Sequence, residues 1–180
     1  MNAKETLTAF DEFLQGEGVA FHATVIGGAA LVVMGVIERS TQDVDCLDPV
    51  IPTKVKEASV AFAKKYRGDD GSLKEDWLNN GPRDLIRDLP KGWEERTVPL
   101  FEGKALVLRT LGRLELLMTK LFAYCDRQED FRDCVAMKPT PEELRASEAW
   151  LEERDLNPLW PDHVRVSLAA IAREVGCAYP

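Results

Sequence analysis

The stretch of sequence that decides the fold is residues 25–46, VIGGAALVVMGVIERSTQDVDC. It continues a short run rich in β-branched residues, which predicts a buried strand over residues 19–26. Gly27-Gly28 breaks this strand, and the apolar residues that follow predict a short buried helix over residues 29–37. Residues 42–47 alternate polar and apolar side chains, which predicts a second strand with one wet face. The first half of the chain is therefore predicted to form an α/β layer.

The second predicted strand carries two acidic residues, Asp43 and Asp45. Alternate side chains of a strand point the same way, so the two carboxylates share one face, about 7 Å apart along the chain. Val44 and Cys46 then point into the core. Two like charges at this separation are unfavourable unless a cation lies between them, and Mg²⁺ (or Mn²⁺) prefers such oxygen ligands. The pair predicts a divalent metal site.

Groups that could bind phosphate surround this pair. Gly27 and Gly28 let the backbone approach a ligand without a Cβ atom and leave helix N–H groups for phosphate oxygens. Arg39, Ser40 and Thr41 add further donors just before the acidic strand. A lone Asp-x-Asp or a lone Gly-Gly is common by chance, but the two in this order and at this distance favour an active site. A phosphate cradle beside a metal pair is what phosphoryl or nucleotidyl transfer requires.

The rest of the sequence predicts further helices and a hairpin. The predicted helices cover residues 4–14, 53–66, 113–126, a stretch from about 130, a stretch from the capping box at 140, and 161–175; the predicted hairpin strands cover 96–101 and 104–109. We therefore expect an α/β (α+β) protein, a small mixed sheet flanked by helices. Residues 1–111 should form the core, with a helical C-terminal portion, residues 112–180, packed on it as one unit.

Composition excludes several classes of protein. The chain has 180 residues and a formal charge of −8, which argues against a nonspecific nucleic-acid binder. Four cysteines and two histidines lack the spacing of a structural zinc site. The longest apolar run, residues 25–37, is too short to cross a bilayer. No signal segment is evident, so we expect a cytoplasmic protein without membrane association. His22, on the first predicted strand, is expected to be a buried core histidine.

Both halves of the sequence resemble one family. The Gly-Gly, helix and Asp-x-Asp arrangement resembles the nucleotidyltransferase superfamily, which includes DNA polymerase β and kanamycin nucleotidyltransferase. Further segments are similar to the bacterial branch that contains abortive-infection (AbiEii-like) toxin nucleotidyltransferases. These segments are RSTQDVD at 39–45, LMTKLFA at 117–123, DR at 126–127, DFRD at 130–133, PTPEEL at 139–144 and NPLWP at 157–161. The resemblance extends over nearly the whole chain.

The resemblance implies the nucleotidyltransferase fold and a Mg²⁺-dependent transfer of a nucleoside monophosphate from an NTP to a hydroxyl. The acceptor would be an RNA such as tRNA, a protein or a small molecule. Asp43 and Asp45 would bind the metal, and Gly27 and Gly28 would border the triphosphate. If the chain is the toxin of a toxin–antitoxin pair, an antitoxin would be its partner.

The resemblance also implies roles for Lys120 and Asp133. Lys120 would neutralise phosphate charge, and Asp133 would match the late acidic residue of the toxin-like members. On one unbroken helix these two residues would face nearly opposite ways, so they can share a pocket only if the chain turns between Asp126 and Asp130. A third carboxylate, which many members carry on a later strand, has no counterpart within residues 104–109.

Two other functions stay open at this stage. A catalytically degenerate module could keep the fold and an NTP pocket without turnover, which the missing third carboxylate favours. A helical interaction protein with an accidental Asp-x-Asp is the remaining alternative.

Overall fold

The computed structural model describes residues 3–38, 43–66 and 73–179. The chain forms two compact units, Met1–Gly112 and Arg113–Pro180. Sheet and helices make up the first unit, whereas the second is built from helices. The predicted fold class, a mixed α/β protein with a helical C-terminal part, is confirmed. The predicted phosphate donors Arg39, Ser40 and Thr41 lie outside the described residues.

In the described part of the first unit, five strands form one mixed sheet. Its elements in chain order are α1 (Ala3–Glu17), β1 (Phe21–Ile26), α2 (Gly27–Val33), β2 (Val44–Asp48), α3 (Thr53–Lys65), β3 (Leu78–Asn79), 3₁₀ segments at Gly81–Arg87 and Glu94–Arg96, β4 (Val98–Glu102) and β5 (Leu106–Thr110). The strand order is β3-β2-β1-β5-β4. β1 runs antiparallel to β2 and parallel to β5, whereas β3 runs parallel to β2.

The chain direction changes sharply where β1 meets α2. Gly27 has φ +80°, a left-handed conformation that side chains disfavour, and α2 begins at this residue. The helix was predicted over residues 29–37, but it starts two residues earlier and ends at Val33. Gly35, with φ +72°, follows the end of the helix.

One face of the sheet packs on an aromatic core formed with α1 and α3. Phe10, Phe62 and Trp77 are almost fully buried, and the ring of Phe10 lies 5.2 Å from that of Phe62 and 5.0 Å from that of Trp77.

The opposite face is partly open. His22 lies on that face and is exposed, so its predicted burial was wrong. The reason is alternation: the neighbours of His22 in β1, Phe21 and Ala23, take the core positions.

The second unit consists of α4 (Arg113–Arg127), α5 (Phe131–Ala136), α6 (Pro141–Glu152) and α7 (Trp160–Val175). The capping box predicted at Thr140 is present, because the Thr140 side chain accepts a hydrogen bond from the Glu143 N–H and Glu143 accepts one from the Thr140 N–H. Gly176, in the left-handed conformation, ends α7 as predicted. Within the described residues, no helix is long and apolar enough to span a membrane.

A buried carboxylate ties α1 to the loop between β4 and β5. Asp11 Oδ1 accepts hydrogen bonds from the backbone N–H groups of Ala105 (2.8 Å) and Leu106 (2.7 Å), and Oδ2 accepts one from Lys104 (3.2 Å). Burial alone would raise the pKa of Asp11, but these backbone donors outweigh it and hold the pKa below its ordinary value of 3.8. The ionised carboxylate therefore stabilises the fold.

We predict that Asp11→Ala lowers the free energy of unfolding by about 2–4 kcal/mol at pH 7, because it leaves buried N–H groups without an acceptor. Since the folded pKa is depressed, the contribution is fully present above pH 3.8 and disappears as the pH falls through the folded value. Urea unfolding from pH 7 down to pH 3 measures this difference. The matched control is Glu12→Ala, an exposed acid on the same helix. Equal losses in the two variants would contradict the prediction.

Candidate functional site

The acidic pair lies at the start of β2, close to the middle of the sheet. Asp43 is exposed just before the strand, and Asp45 is half-buried within it. Val44 and Cys46, which alternate with them, are buried in the core, as predicted. Burial raises the pKa of the Cys46 thiol to about 12, so this cysteine is not a thiolate at neutral pH. The chemistry available on β2 is therefore that of carboxylates.

Gly27 lies against the carboxylate of Asp45. The two come together because Ile26, the last residue of β1, pairs with Asp45 across the sheet. A Cβ atom built on Gly27 would lie 2.5 Å from Asp45 Oδ2, closer than non-bonded atoms tolerate. Both the backbone conformation and the space at this position therefore require glycine, and the start of α2 lies directly beside an acidic group.

A further residue of this site, Asn79, was missed by the sequence analysis. Asn79 is in β3, directly opposite Asp45, and its Nδ2 donates a hydrogen bond to Asp45 Oδ1 (3.2 Å). The following residue, Asn80, donates to the carbonyl oxygens of Cys46 (2.9 Å) and Pro49 (3.0 Å). The one local signal in the sequence is the Asn-Asn-Gly-Pro run at 79–82, which is typical of a turn and does not reveal the bond to Asp45. In the structure, Asn79 and Asn80 also donate hydrogen bonds to Asp45 and Cys46 of β2.

The donor set on β2 fits a hard divalent cation. Asp43 and Asp45 offer carboxylate oxygens, and Mg²⁺ typically takes one or two protein carboxylates and completes its coordination with water and substrate phosphates. Among the residues that the structure describes, no group of three or more His, Cys, Asp or Glu could hold a metal ion. β5, Leu106–Thr110, contains no acid and is separated from β2 by β1. The described residues at this position therefore fit a metal site with two protein carboxylates.

The other predicted site residues, Lys120 and Asp133, are in the second unit. Lys120 Nζ lies 2.9 Å from Asp133 Oδ2 and 2.9 Å from Asp130 Oδ2. Lys120 and Asp133 are each only 4% exposed. A lysine flanked by two carboxylates is already neutralised, so it offers a phosphate less charge than an unpaired lysine would.

The two residues meet because the chain turns between α4 and α5. α4 ends at Arg127, and both Gln128 and Asp130 adopt positive φ values, 58° and 64°. α5 begins at Phe131 and brings Asp133 back towards Lys120. This is the turn that the helical geometry required if Lys120 and Asp133 were to share a pocket.

We predict that Gly27→Ala destabilises the protein more than Gly35→Ala does. Both glycines have positive φ, so each substitution carries a conformational cost of about 1 kcal/mol. Only at Gly27 does the added methyl meet a neighbour, since no heavy atom lies within 4 Å of a Cβ at Gly35. The contact with Asp45 should add at least about 1 kcal/mol, measured by urea unfolding. The contact has no energetic effect if the two variants unfold at the same urea concentration.

We also predict that Lys120→Ala lowers the free energy of unfolding by about 3–5 kcal/mol, because it removes the cation that pairs with the buried Asp133 and the half-buried Asp130. Arg127→Ala, on the same helix, removes only exposed ion pairs to Asp126 and Glu129 and should cost about 0.5 kcal/mol. Chemical denaturation of both variants measures the contrast. A decrease of less than about 1 kcal/mol in the free energy of unfolding of Lys120→Ala would mean that Lys120 contributes little to the stability of Asp130 and Asp133 in the folded protein.

Comparison with known proteins gives a match at the level of the family. A family model described as "Nucleotidyltransferase of unknown function (DUF6036)" matches residues 5–138, which include Gly27, Asp43, Asp45, Lys120 and Asp133. No curated protein and no solved structure shows a significant match. Because the family model covers well over half of the sequence, the chain belongs to the family of nucleotidyltransferases of unknown function, DUF6036.

Proposed function

We propose that this protein is a Mg²⁺-dependent nucleotidyltransferase that transfers a nucleoside monophosphate from an NTP to a hydroxyl group. The observation that carries the proposal is the contact of Asp45 with Gly27, where a side chain at position 27 would collide with the carboxylate. The contact supports the proposal because it brings a carboxylate, the proposed metal ligand, next to backbone that a phosphate can approach. The family assignment supports the same reaction.

In this proposal, Asp43 and Asp45 hold the cation and the turn at Gly27 and Gly28 borders the triphosphate. A bound Mg²⁺ would neutralise the negative charge on the phosphate oxygens. α2 is only seven residues long, so its dipole contributes little to phosphate binding. The absence of side chains at the start of the helix is the more important feature, because it leaves room for the phosphate. The acceptor hydroxyl would attack the α-phosphorus in line, and the bond to the bridging oxygen would break to release pyrophosphate. Arg39, Ser40 and Thr41 are proposed phosphate donors.

We propose a role in the reaction for Lys120 and Asp133 as well. Lys120 would supply positive charge to a phosphate, and its ion pairs with Asp130 and Asp133 would hold its ammonium group in place until then. Because the ammonium group is already compensated, this role requires that one of the two carboxylates turns to another partner as the phosphate binds.

The resemblance to the AbiEii-like branch leads us to propose a toxin role, with an antitoxin as partner. An RNA such as tRNA, a protein or a small molecule would be the acceptor. The formal charge of −8 disfavours a large RNA acceptor that binds without a further partner, because a net negative charge repels phosphate groups. A protein or small-molecule acceptor is consistent with this charge.

A second candidate function is a nucleotide-binding module without turnover. It is favoured by a specific feature of the site: the side chain opposite Asp45 on β3 is the amide of Asn79, and β5 contains no acid. A site with two carboxylates can bind a metal–nucleotide complex, but it has fewer groups to accept the proton of an attacking hydroxyl.

The decisive experiment is transfer of label from [α-³²P]NTP to total tRNA, to protein or to small acceptors in the presence of Mg²⁺. We predict that Asp43→Ala and Asp45→Ala each lower transfer at least 100-fold, because the cation loses a ligand. Asp48→Ala is the matched control, since Asp48 is an exposed acid at the end of the same strand, paired with Arg83. This variant should retain activity within a few-fold.

Label transfer that persists after both Asp43 and Asp45 are replaced would show that the chemistry lies elsewhere. Calorimetry with each NTP, with and without Mg²⁺, separates the two candidate functions from a protein without a nucleotide site. Metal-dependent binding without transfer to any acceptor would favour the binding module, and absence of binding would overturn both candidates.

A further inference from the structure

The amide of Asn79 has only one orientation compatible with its neighbours. The oxygen and nitrogen of an asparagine side chain are normally assigned from their hydrogen-bond partners. Here the backbone N–H of Gly81 points at Asn79 Oδ1 from 2.7 Å, and an N–H donor requires an acceptor. Oδ1 is therefore the acceptor, so Nδ2 is the atom that faces Asp45.

In this orientation, the amide of Asn79 holds one oxygen of the Asp45 carboxylate through a hydrogen bond. Asn79 Nδ2 donates to Oδ1, while Oδ2 lies on the side of Gly27. Rotation of the carboxylate would break the bond to Asn79 or move an oxygen towards the Gly27 backbone. The carboxylate is therefore held between the β3 turn and the start of α2, with its plane fixed before any ligand arrives.

The identity of the residue also sets the charge next to Asp45. An aspartate at position 79 would have nearly the same size as asparagine, but it would bring a third carboxylate to about 3 Å from Asp45, and the Gly81 N–H would still find an acceptor oxygen. The two carboxylates would then repel each other in the absence of a cation. Asparagine instead provides a donor and no charge.

We infer that Asn79 is a positioning residue for the metal ligand Asp45, and that it limits the metal site to two carboxylates. The inference rests on the proposed function, since it requires that Asp45 binds a divalent cation. Groups that orient metal ligands through hydrogen bonds typically affect metal affinity 10–100-fold, although they do not touch the metal. The proposed role therefore differs from a structural one in its effect on metal binding.

The test is a Mn²⁺ titration of the full chain without nucleotide, in which electron paramagnetic resonance measures free Mn²⁺. Asn79→Ala should weaken Mn²⁺ binding about tenfold, because Asp45 loses its orientation. Asn80→Ala is the matched control: this side chain bonds Cys46 and Pro49 at the same turn but not Asp45. It should lower the melting temperature and leave the Mn²⁺ dissociation constant within twofold.

Asn79→Asp gives a second, independent readout. Without metal it should melt below the wild-type protein, because two carboxylates face each other. Addition of Mn²⁺ should raise its melting temperature by more than it raises that of the wild type, because a third carboxylate is available. A purely structural role predicts the same Mn²⁺-induced shift in every variant that folds.

The outcomes separate this inference from the proposed function. If the wild type binds Mn²⁺, Asp45→Ala does not, and Asn79→Ala binds as tightly as the wild type, the inference is overturned while the proposed function stands. The inference is also overturned if Asn80→Ala weakens binding as much as Asn79→Ala. If neither the wild type nor Asp45→Ala binds Mn²⁺ or Mg²⁺–NTP, the metal site itself is absent. That result would overturn both the inference and the proposed function.

Discussion

The structure of the first unit depends on the close approach of the β1–α2 turn to the carboxylate of Asp45. β1 and β2 pair with Ile26 opposite Asp45, so whatever follows Ile26 must share space with an acidic side chain. Only a residue without a Cβ atom fits, and the same residue must also adopt a positive φ. One glycine therefore permits the sheet pairing, the change of direction into α2 and the exposure of backbone beside an acid. Fold and candidate site share a single constraint.

Carboxylates in three places are stabilised in three different ways, and the difference bears on function. Asp11 accepts hydrogen bonds from backbone N–H groups of the β4–β5 loop, and Asp133 pairs with Lys120, so both are tied to a fixed protein group. Asp45 accepts a hydrogen bond from the neutral amide of Asn79, which orients the carboxylate and adds no charge of its own. A neutral donor of this kind orients a carboxylate without itself competing with a cation that comes from outside the protein.

The features that were predictable from sequence are those that a local pattern encodes. Periodicity located the helices, the Gly-Gly pair located the end of β1, and alternation placed Val44 and Cys46 in the core. The roles of Asn79 and Asp11 depend on contacts across 34 and up to 95 positions, which no local pattern contains. β3 has only two residues and leaves no periodic signal. His22 was misplaced because a β-branched run does not show which face of its sheet is covered.

The number of acidic groups at the site constrains how it could work. Two carboxylates attract a divalent cation less strongly than three would, but they also repel an incoming triphosphate less. A cation that the protein alone binds weakly is best delivered together with the nucleotide, whose phosphate oxygens supply the missing ligands. Under the proposed function, the site would therefore bind the cation weakly on its own and more tightly when NTP is also present. Asn79 would favour binding of the metal–NTP complex, because it orients Asp45 without adding a negative charge that would repel the triphosphate.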